Sequence, residues 1–516
     1  MTSWLHRAGD FVRGLKGWRR FGFAVLTGAV SALGFAPFSF FPALLLGLAA
    51  FVLLIDGTRG DRKPLRAAAV VGFGFGFGQF ALGLHWIGYA FLVDAEAHAW
   101  QIPFVAVLFP GGLALFFAAA AAVAAKFWKV GPARIFVLTI AYSLAEWLRG
   151  HILTGFPWNI PGYGWGASLA VLQSTALFGV YGLSLLTVLF GCSLAELFEP
   201  KPRWKLPAIM AGLFAVFFIG GAVRLATVPQ NTVPGVRLRL VQPNIAQAEK
   251  YERQYILRNW QRLLSLSEAP GNPSIIIWPE AAPPFLLDEQ PLAEAQIGRL
   301  TENRLGLMTG GIRREYLPAE HIRYANSFFL FGRSGTLLNI YDKSHLVPFG
   351  EYLPFEKTLT ALGLSKLTGI DGSFTPGSGP QAYALPGAGF VTPLICYEIL
   401  FPGAVTGSKR PDWFVNITDD SWFGPWAGPK QHLLVARVRA IEEGLPVARD
   451  ANTGISAIID PVGRITASLG LDKTGFVDGA LPAPLAATPY SRIRDLLFWL
   501  IMCANVGLAW FFSKRK

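Results

Sequence analysis

The stretch Gly389-Phe-Val-Thr-Pro-Leu-Ile-Cys-Tyr-Glu-Ile-Leu-Phe-Pro402 decides how the hydrophilic part of this chain is read. A short, mostly apolar run bounded by glycine reads as a buried strand. Cys396 stands at the end of that run, and Glu398 follows two residues later. The other two cysteines, Cys192 and Cys503, lie in long apolar runs. An isolated buried cysteine is inert packing more often than it is a nucleophile. The rest of the chain has to decide between the two.

Working outward, the chain has 516 residues, is 52% hydrophobic and only 15% charged, and has a positive mean hydropathy. Polar residues are unevenly spread. Residues 21–225 are almost continuously apolar, 230–490 have the composition of a soluble domain, and 496–512 are apolar again. That pattern predicts a polytopic helical membrane protein with one large extramembrane domain. The net charge of +12 does not point to nucleic acid, because the basic residues sit in short loops between apolar runs. One cysteine in the soluble part leaves no disulfide framework within it.

About 20 apolar residues span a bilayer. Eight candidate spans follow: 21–37, 40–55, 67–93, 102–125, 133–149, 167–195, 206–226 and 496–512. Arg7, Arg13, Lys16, Arg19 and Arg20 precede the first, as in a signal peptide, but further spans follow at once without a small-residue cleavage site. The first run is therefore read as a retained span. Basic residues fill alternate loops: Arg59, Arg62, Lys63 and Arg66; Lys126, Lys129 and Arg134; Lys201, Arg203 and Lys205; and Lys514, Arg515 and Lys516. The loop at 94–101 has Asp94 and Glu96 and no Lys or Arg. By the positive-inside rule both termini are cytoplasmic, and 227–490 lies on the opposite face. The expected domains are a seven-span bundle at 1–226, the soluble domain at 227–490, and a last span with a basic tail at 491–516.

The Gly-Phe repeats at 72–77 have neither the preceding strand nor the Lys-Ser/Thr of a phosphate loop, so close helix packing is their reading. Residues 146–159 mix aromatic and charged groups, fitting an interfacial belt or the mouth of a lipid path.

In the soluble part strands alternate with helices, which predicts an α/β layered domain. The expected strands are 236–244, 274–280, 324–331, 337–341, 389–395, 412–417 and 455–464, with helices near 248–267, 290–304 and 429–443. Three polar groups follow strand-like runs: Glu280, Lys343 and Cys396. Singly they are a turn residue, a surface lysine and a packed thiol. Together they have the chemistry of acyl transfer. A thiol attacks a carbonyl only as thiolate, so it needs a base and a nearby positive charge. A buried glutamate takes the proton, and a lysine with the N–H of Tyr397 stabilises an oxyanion. His345 and His432 invite a Cys-His alternative, against which a structural hydrogen-bonding role is favoured. Seven histidines show no metal-ligand spacing. Arg437, Arg439 and Glu442 share a helical period, and surface pairing is their default reading.

Trp278-Pro-Glu280, Tyr341-Asp-Lys343 and Ile395-Cys-Tyr-Glu398 resemble the Glu-Lys-Cys signature of the nitrilase superfamily. Lys343-Ser-His-Leu-Val-Pro-Phe-Gly-Glu-Tyr-Leu-Pro354, Asn416-Ile-Thr-Asp-Asp-Ser-Trp-Phe-Gly424, Gln431-His432 and Thr154-Gly-Phe-Pro-Trp158 narrow the likeness. With eight spans, the whole chain resembles the bacterial apolipoprotein N-acyltransferases. The resemblance implies an α-β-β-α sandwich that needs no cofactor or metal. It also implies a multi-pass protein of the bacterial inner membrane with a periplasmic catalytic domain, and a monomer is expected. Its implied substrates are a phospholipid acyl donor and a diacylated apolipoprotein acceptor, with a Cys thioester between them. Glu280 resembles the general base, Lys343 the oxyanion and thiolate stabiliser, and Cys396 the nucleophile. Glu351 resembles a second active-site glutamate, and Tyr397 and Glu398 an essential pair beside the cysteine. Trp422 and Phe423 resemble residues of a lipid-facing loop, and Trp158, from a motif of the membrane part, and Tyr251 are expected with them in lipid-facing or substrate loops. Some members have a tryptophan where this chain has Tyr251, after Lys250.

Two other classes compete. A membrane-tethered amidase would use the same three residues, but a tether needs one span. A transporter with a degenerate binding domain would need more ionisable groups in its spans than Glu146, His85 and a few others.

Overall fold

A computed structural model of the chain describes residues 2–316, 322–361, 367 and 374–514. Arg515 and Lys516 of the expected basic tail lie outside the described residues. The chain divides into two units. One holds the chain up to Gly88, Gln101–Val228 and the segment from Thr488, and the other holds Tyr89–Trp100 and Pro229–Ala487. Residues 89–100 cluster with the second unit. The ring of Tyr89 backs Gly424, where φ is +63° and a Cβ would strike that ring.

The first unit is helical. Among the described residues, six helices are long and apolar enough to cross a membrane: Phe41–Thr58, Pro64–Gly83, Ala95–Lys126, Thr175–Phe198, Lys205–Thr227 and Leu496–Lys514. Two of the eight expected spans fall short for identifiable reasons. Gly17–Ala32 has only 16 residues, and Ala133–His151 carries Arg134, Glu146 and Arg149. The third expected span stops at Gly83, and His85–Leu92 is a 3-10 segment. The Gly-Phe repeats do pack helices closely: Gly28 and Gly78 stand against the backbone of Phe75 and Val25, and Gly72 against that of Phe117. A side chain at any of the three would separate the helices.

Residues 146–159 fold back into this unit. Arg149 pairs with Glu146 at 2.7 Å, both buried, and donates to the Phe156 carbonyl. The Phe156 N–H returns a bond to the Arg149 carbonyl at 2.7 Å. Trp158 is only 1% exposed, with its ring 4.8 Å from that of Trp86. Its indole is held in the interior of the first unit.

Among the described residues the second unit has twelve strands in two sheets. They are β1 (Thr232–Gln242), β2 (Ile275–Ile277), β3 (Gly306–Tyr316), β4 (Ile322–Phe331), β5 (Leu337–Asp342), β6 (Tyr383–Leu385), β7 (Gly389–Ile395), β8 (Trp413–Thr418), β9 (Val447–Ala451), β10 (Ser456–Ile459), β11 (Ile465–Leu469) and β12 (Gly475–Pro482). One sheet runs β12-β1-β2-β3-β4-β5 and the other β11-β10-β9-β8-β7-β6. Each has a parallel centre, β1-β2-β3 and β7-β8-β9, with antiparallel neighbours.

Period-2 alternation assigns the layers. Ile275 and Ile277 of β2, Met308 of β3 and Phe328 of β4 pack against Val391, Ile395, Val415 and Ile417 of the other sheet. Their neighbours Ile276, Leu307 and Phe329 face the opposite way, onto Trp260, Leu263, Ile297 and Leu300. Those four residues belong to helices Ile256–Glu268 and Pro291–Thr301. Helix Gly428–Glu443 packs against β9 in the second sheet. The order is helix, sheet, sheet, helix, the sandwich implied by the resemblance. Both faces of each central strand are covered, which is why their runs read as nearly continuous apolar sequence.

One helix reading is corrected. Arg439 and Glu442 do pair at i, i+3, but both are fully buried, not on the surface. Helical period alone cannot show which face of a helix meets water when a layer covers it.

Candidate active site

Three strand ends converge within the second unit. Cys396 directly follows β7 and opens a 3-10 turn, Cys396–Leu400, with φ at +50°. A positive φ in a non-glycine residue is strained and persists only where the surroundings over-determine it. Here they do. Glu398 accepts from the Ile395 N–H at 2.8 Å behind the cysteine. Its other oxygen accepts from Tyr341 Oη at 2.5 Å, Ser344 Oγ at 2.7 Å and Ser344 N at 2.8 Å. Glu398 therefore ties the cysteine turn to the segment carrying Lys343. Its bonds are with the scaffold, so its contribution is orientation.

Lys343 follows β5, is 1% exposed, and donates to Glu351 Oε2 at 2.9 Å and to Glu280 Oε1 at 3.4 Å. Asn326 on β4 bridges the two carboxylates, donating to Glu280 Oε1 at 2.8 Å and Glu351 Oε1 at 2.9 Å. The Val347 N–H holds Glu351 Oε2 at 2.8 Å, and the Asp419 N–H holds Glu280 Oε2 at 2.9 Å. Two carboxylates thus share one ammonium in a buried site.

The electrostatics follow from that ratio. Burial pushes the Glu280 carboxyl up; Lys343 opposes this, and Glu351 reinforces it. Burial works against the charge of Lys343, but Glu351 and Glu280 outweigh it and hold the ammonium above its ordinary range. Burial and then Glu280 push the Cys396 thiol well up, against Lys343. The resting site therefore holds a neutral thiol, a charged lysine and a glutamate with raised proton affinity. Such a glutamate is suited to take the thiol proton as the sulfur attacks.

A second cluster lies behind the cysteine. His432 is buried, with Nε2 at 3.2 Å from the Cys396 carbonyl oxygen and Nδ1 at 3.0 Å from Asp420 Oδ1. Arg449 donates to Asp420 Oδ2 at 2.6 Å and to Asn416 Oδ1 at 2.5 Å. Burial and Arg449 hold the His432 imidazole below its usual range, against Asp420. Its Nε2 is committed to the cysteine's backbone, which favours the hydrogen-bonding role over a Cys-His pair. His345 stacks on Phe401 at 3.6 Å, and Tyr397 meets Phe401 edge-on at 5.1 Å.

Of the other expected residues, Phe423 is half-buried against the core that contains Cys396, edge-on to His432 at 5.6 Å. Trp422 is half-buried beside it in the turn Asp420–Phe423. Tyr251 is exposed. Asn326, Asp419, Asp420 and Arg449 were not singled out from sequence. Asn326 stands two residues before the apolar run Phe328–Phe331 of β4, the one available signal for it; the others needed the fold. Among the described residues, no group of three or more His, Cys, Asp or Glu stands where it could hold a metal ion.

Comparison with known proteins fits both units. Residues 27–193 match the family model of the apolipoprotein N-acyltransferase N-terminal domain, and residues 237–490 match that of carbon-nitrogen hydrolase. An apolipoprotein N-acyltransferase of Rhodopseudomonas palustris is 44% identical over 93% of this chain and 92% of its own. One of Bradyrhizobium diazoefficiens is 43% identical over 96% and 95%. Among solved structures, a carbon-nitrogen hydrolase from Helicobacter pylori G27 has 14% identity and a TM-score of 0.36, covering 47% of this chain and 88% of that one. That likeness is too weak to bear on activity. Near-full-length identity above 40% to two such relatives, with both of its parts matched, means that this chain belongs to the apolipoprotein N-acyltransferase family.

Proposed function

We propose that this chain moves a fatty acyl group from a phospholipid to the α-amine of an apolipoprotein's diacylglyceryl-cysteine, through a thioester on Cys396. The observation that carries the reading is the shared site of Glu280, Lys343 and Glu351, two carboxylates on one ammonium, beside a strained cysteine at a strand end. Family membership supports the acyl-transfer chemistry.

In the first half-reaction the Cys396 sulfur attacks the ester carbonyl while Glu280 takes the thiol proton. Lys343 and the Tyr397 N–H stabilise the oxyanion. Collapse breaks the ester C–O bond, and Glu280 returns the proton to the departing lysophospholipid oxygen. In the second, the lipoprotein amine attacks the thioester carbon, Glu280 takes a proton from it, and the C–S bond breaks. The thiol is then reprotonated. Glu351 holds Lys343 in place, and Tyr397 and Glu398 support the cysteine turn. Tyr251, Trp422 and Phe423 would meet the lipid chains. Water kept from the thioester favours transfer over hydrolysis.

The topology belongs to the same proposal. Eight spans, including the short Gly17–Ala32 and the charged Ala133–His151, put both termini in the cytoplasm of a bacterial inner membrane. The domains are then 1–226, 227–490 and 491–516, with the catalytic domain periplasmic and the chain a monomer. Both substrates are bilayer-anchored, which gives a reason for joining this catalytic domain to a membrane bundle.

The test is to incubate the purified chain with phospholipid alone and measure its intact mass. A fatty-acyl adduct should form, be removed by hydroxylamine, and be absent from Cys396→Ala. Hydrolysis of small amides without an adduct on any lipid would instead make the chain a membrane-tethered amidase.

A further inference from the structure

One buried ion pair beside the site has no part in the mechanism above. Lys250 is 2% exposed, and its Nζ donates to Asp419 Oδ2 at 2.6 Å and to the Glu280 carbonyl oxygen at 3.2 Å. Asp419 turns its backbone N–H onto Glu280 Oε2 at 2.9 Å. Its carboxylate is otherwise held by Asn452 Nδ2 at 3.1 and 3.2 Å and by Ser421 Oγ at 2.6 Å. The couple therefore grips Glu280 at both ends, through its main-chain carbonyl and through its carboxylate.

A buried ion pair seldom raises stability above that of a well-packed apolar pair, because desolvation offsets the attraction. Anchoring the segment at 247–251 would not require charge. We propose that Lys250 and Asp419 are a positioning pair for Glu280, holding its carboxylate in the orientation that takes the Cys396 proton and balancing the charge around it. The inference rests on the reading of Glu280 as the base. Neither residue touches the reacting atoms; both act through Glu280.

The groups facing Glu280 set the expected signs. Lys343 and Glu351 face it from the segment after β5, Asn326 from β4, Cys396 from the end of β7, Asp419 from the end of β8, and Lys250 with Tyr251 from the segment after β1. Lys250→Met removes a positive charge and leaves Asp419 unpaired, so the Glu280 carboxyl holds its proton to higher pH. Asp419→Asn removes a negative charge and leaves Lys250 unpaired, so the carboxyl loses its proton at lower pH. The Asp419 N–H survives in both. A merely structural role gives no reason for opposite shifts.

The experiment uses the full-length chain in mixed micelles of phosphatidylethanolamine and phosphatidylglycerol. The rate of acyl-adduct formation is measured against pH, together with the rate of Cys396 alkylation by iodoacetamide without added phospholipid. Each single variant should form adduct roughly ten- to a hundredfold more slowly per folded molecule. The acid limb of both profiles should move up in pH for Lys250→Met and down for Asp419→Asn. The double variant should be no slower than the slower single, as for residues acting as one unit. Wild-type rates in both singles, or slower rates with unmoved limbs, would overturn the pairing. If one variant does not fold, the direction of the other's limb decides. A wild-type chain that forms no adduct would defeat the acyltransfer reading, and the alkylation profiles would still judge the pair.

Discussion

Two buried charge clusters act on Cys396, and they behave differently. The first, Glu280, Glu351 and Lys343, has two carboxylates for one ammonium, and the Glu280 carboxyl is pushed up by burial against Lys343. The second, Asp420, Arg449 and His432, has one carboxylate facing a guanidinium and an imidazole. Although burial opposes it, Arg449 and then His432 hold Asp420 down at about 2. Burial is similar in both; the ratio of charges differs. An under-neutralised buried acid is ready to accept a proton, whereas a neutralised one is fixed as an anion. Buried charge alone therefore does not mark a catalytic group.

The largest expected effect comes from the first cluster. Glu280→Gln keeps the shape and removes the proposed base, so the rate of adduct formation should fall about 10²–10⁴-fold. In the wild type the acid limb should lie above 4.5, the ordinary glutamate value, because the folded carboxyl is raised. Intact-mass kinetics across pH check both. A variant with unchanged rate and limb would move the base elsewhere.

The second cluster should respond in stability. Asp420→Ala leaves Arg449 without its buried counter-charge, at a cost of about 3–5 kcal/mol. The Asp420 contribution has a definite pH sign. Its folded value of about 2 lies below 3.8, so the stabilisation is complete above the ordinary aspartate range and is lost as pH falls toward 2. Comparing thermal denaturation of wild type and variant from neutral to acidic pH should show the gap closing. A constant gap would mean that Asp420 acts by packing.

The smallest effect is expected at a distance from both clusters. Glu442→Gln keeps an acceptor for buried Arg439 but removes the charge, costing about 1–3 kcal/mol. Adduct formation per folded molecule and its pH limb should stay at wild-type values. A shifted limb would extend the responsive cluster to helix Gly428–Glu443.

Much of this was legible in sequence because it is local. The β7 run at 389–395 coincides with the observed strand, and β5 and β8 begin and end within about a residue of expectation. The span count was less legible. Hydropathy sees the apolar run at 21–37 but not that its helix ends at Ala32, and it cannot see that Glu146 pairs with Arg149 within Ala133–His151 while Arg134 pairs with Glu196 and Glu199. The surface reading of Arg439 and Glu442 failed because helical spacing is blind to what covers a helix.

The sequence by itself determined the alternation of strands and helices, the apolar bundle, and the three strand-end residues Glu280, Lys343 and Cys396, since each depends on periodicity or on adjacency in the chain. Only the tertiary structure decided which buried charges meet. Asn326 between the two glutamates, Asp419 beneath Glu280 and His432 on the cysteine carbonyl come from distant parts of the chain. Proton affinity in a dry interior depends on distances between such groups and on the water excluded around them, and neither is written in residue spacing.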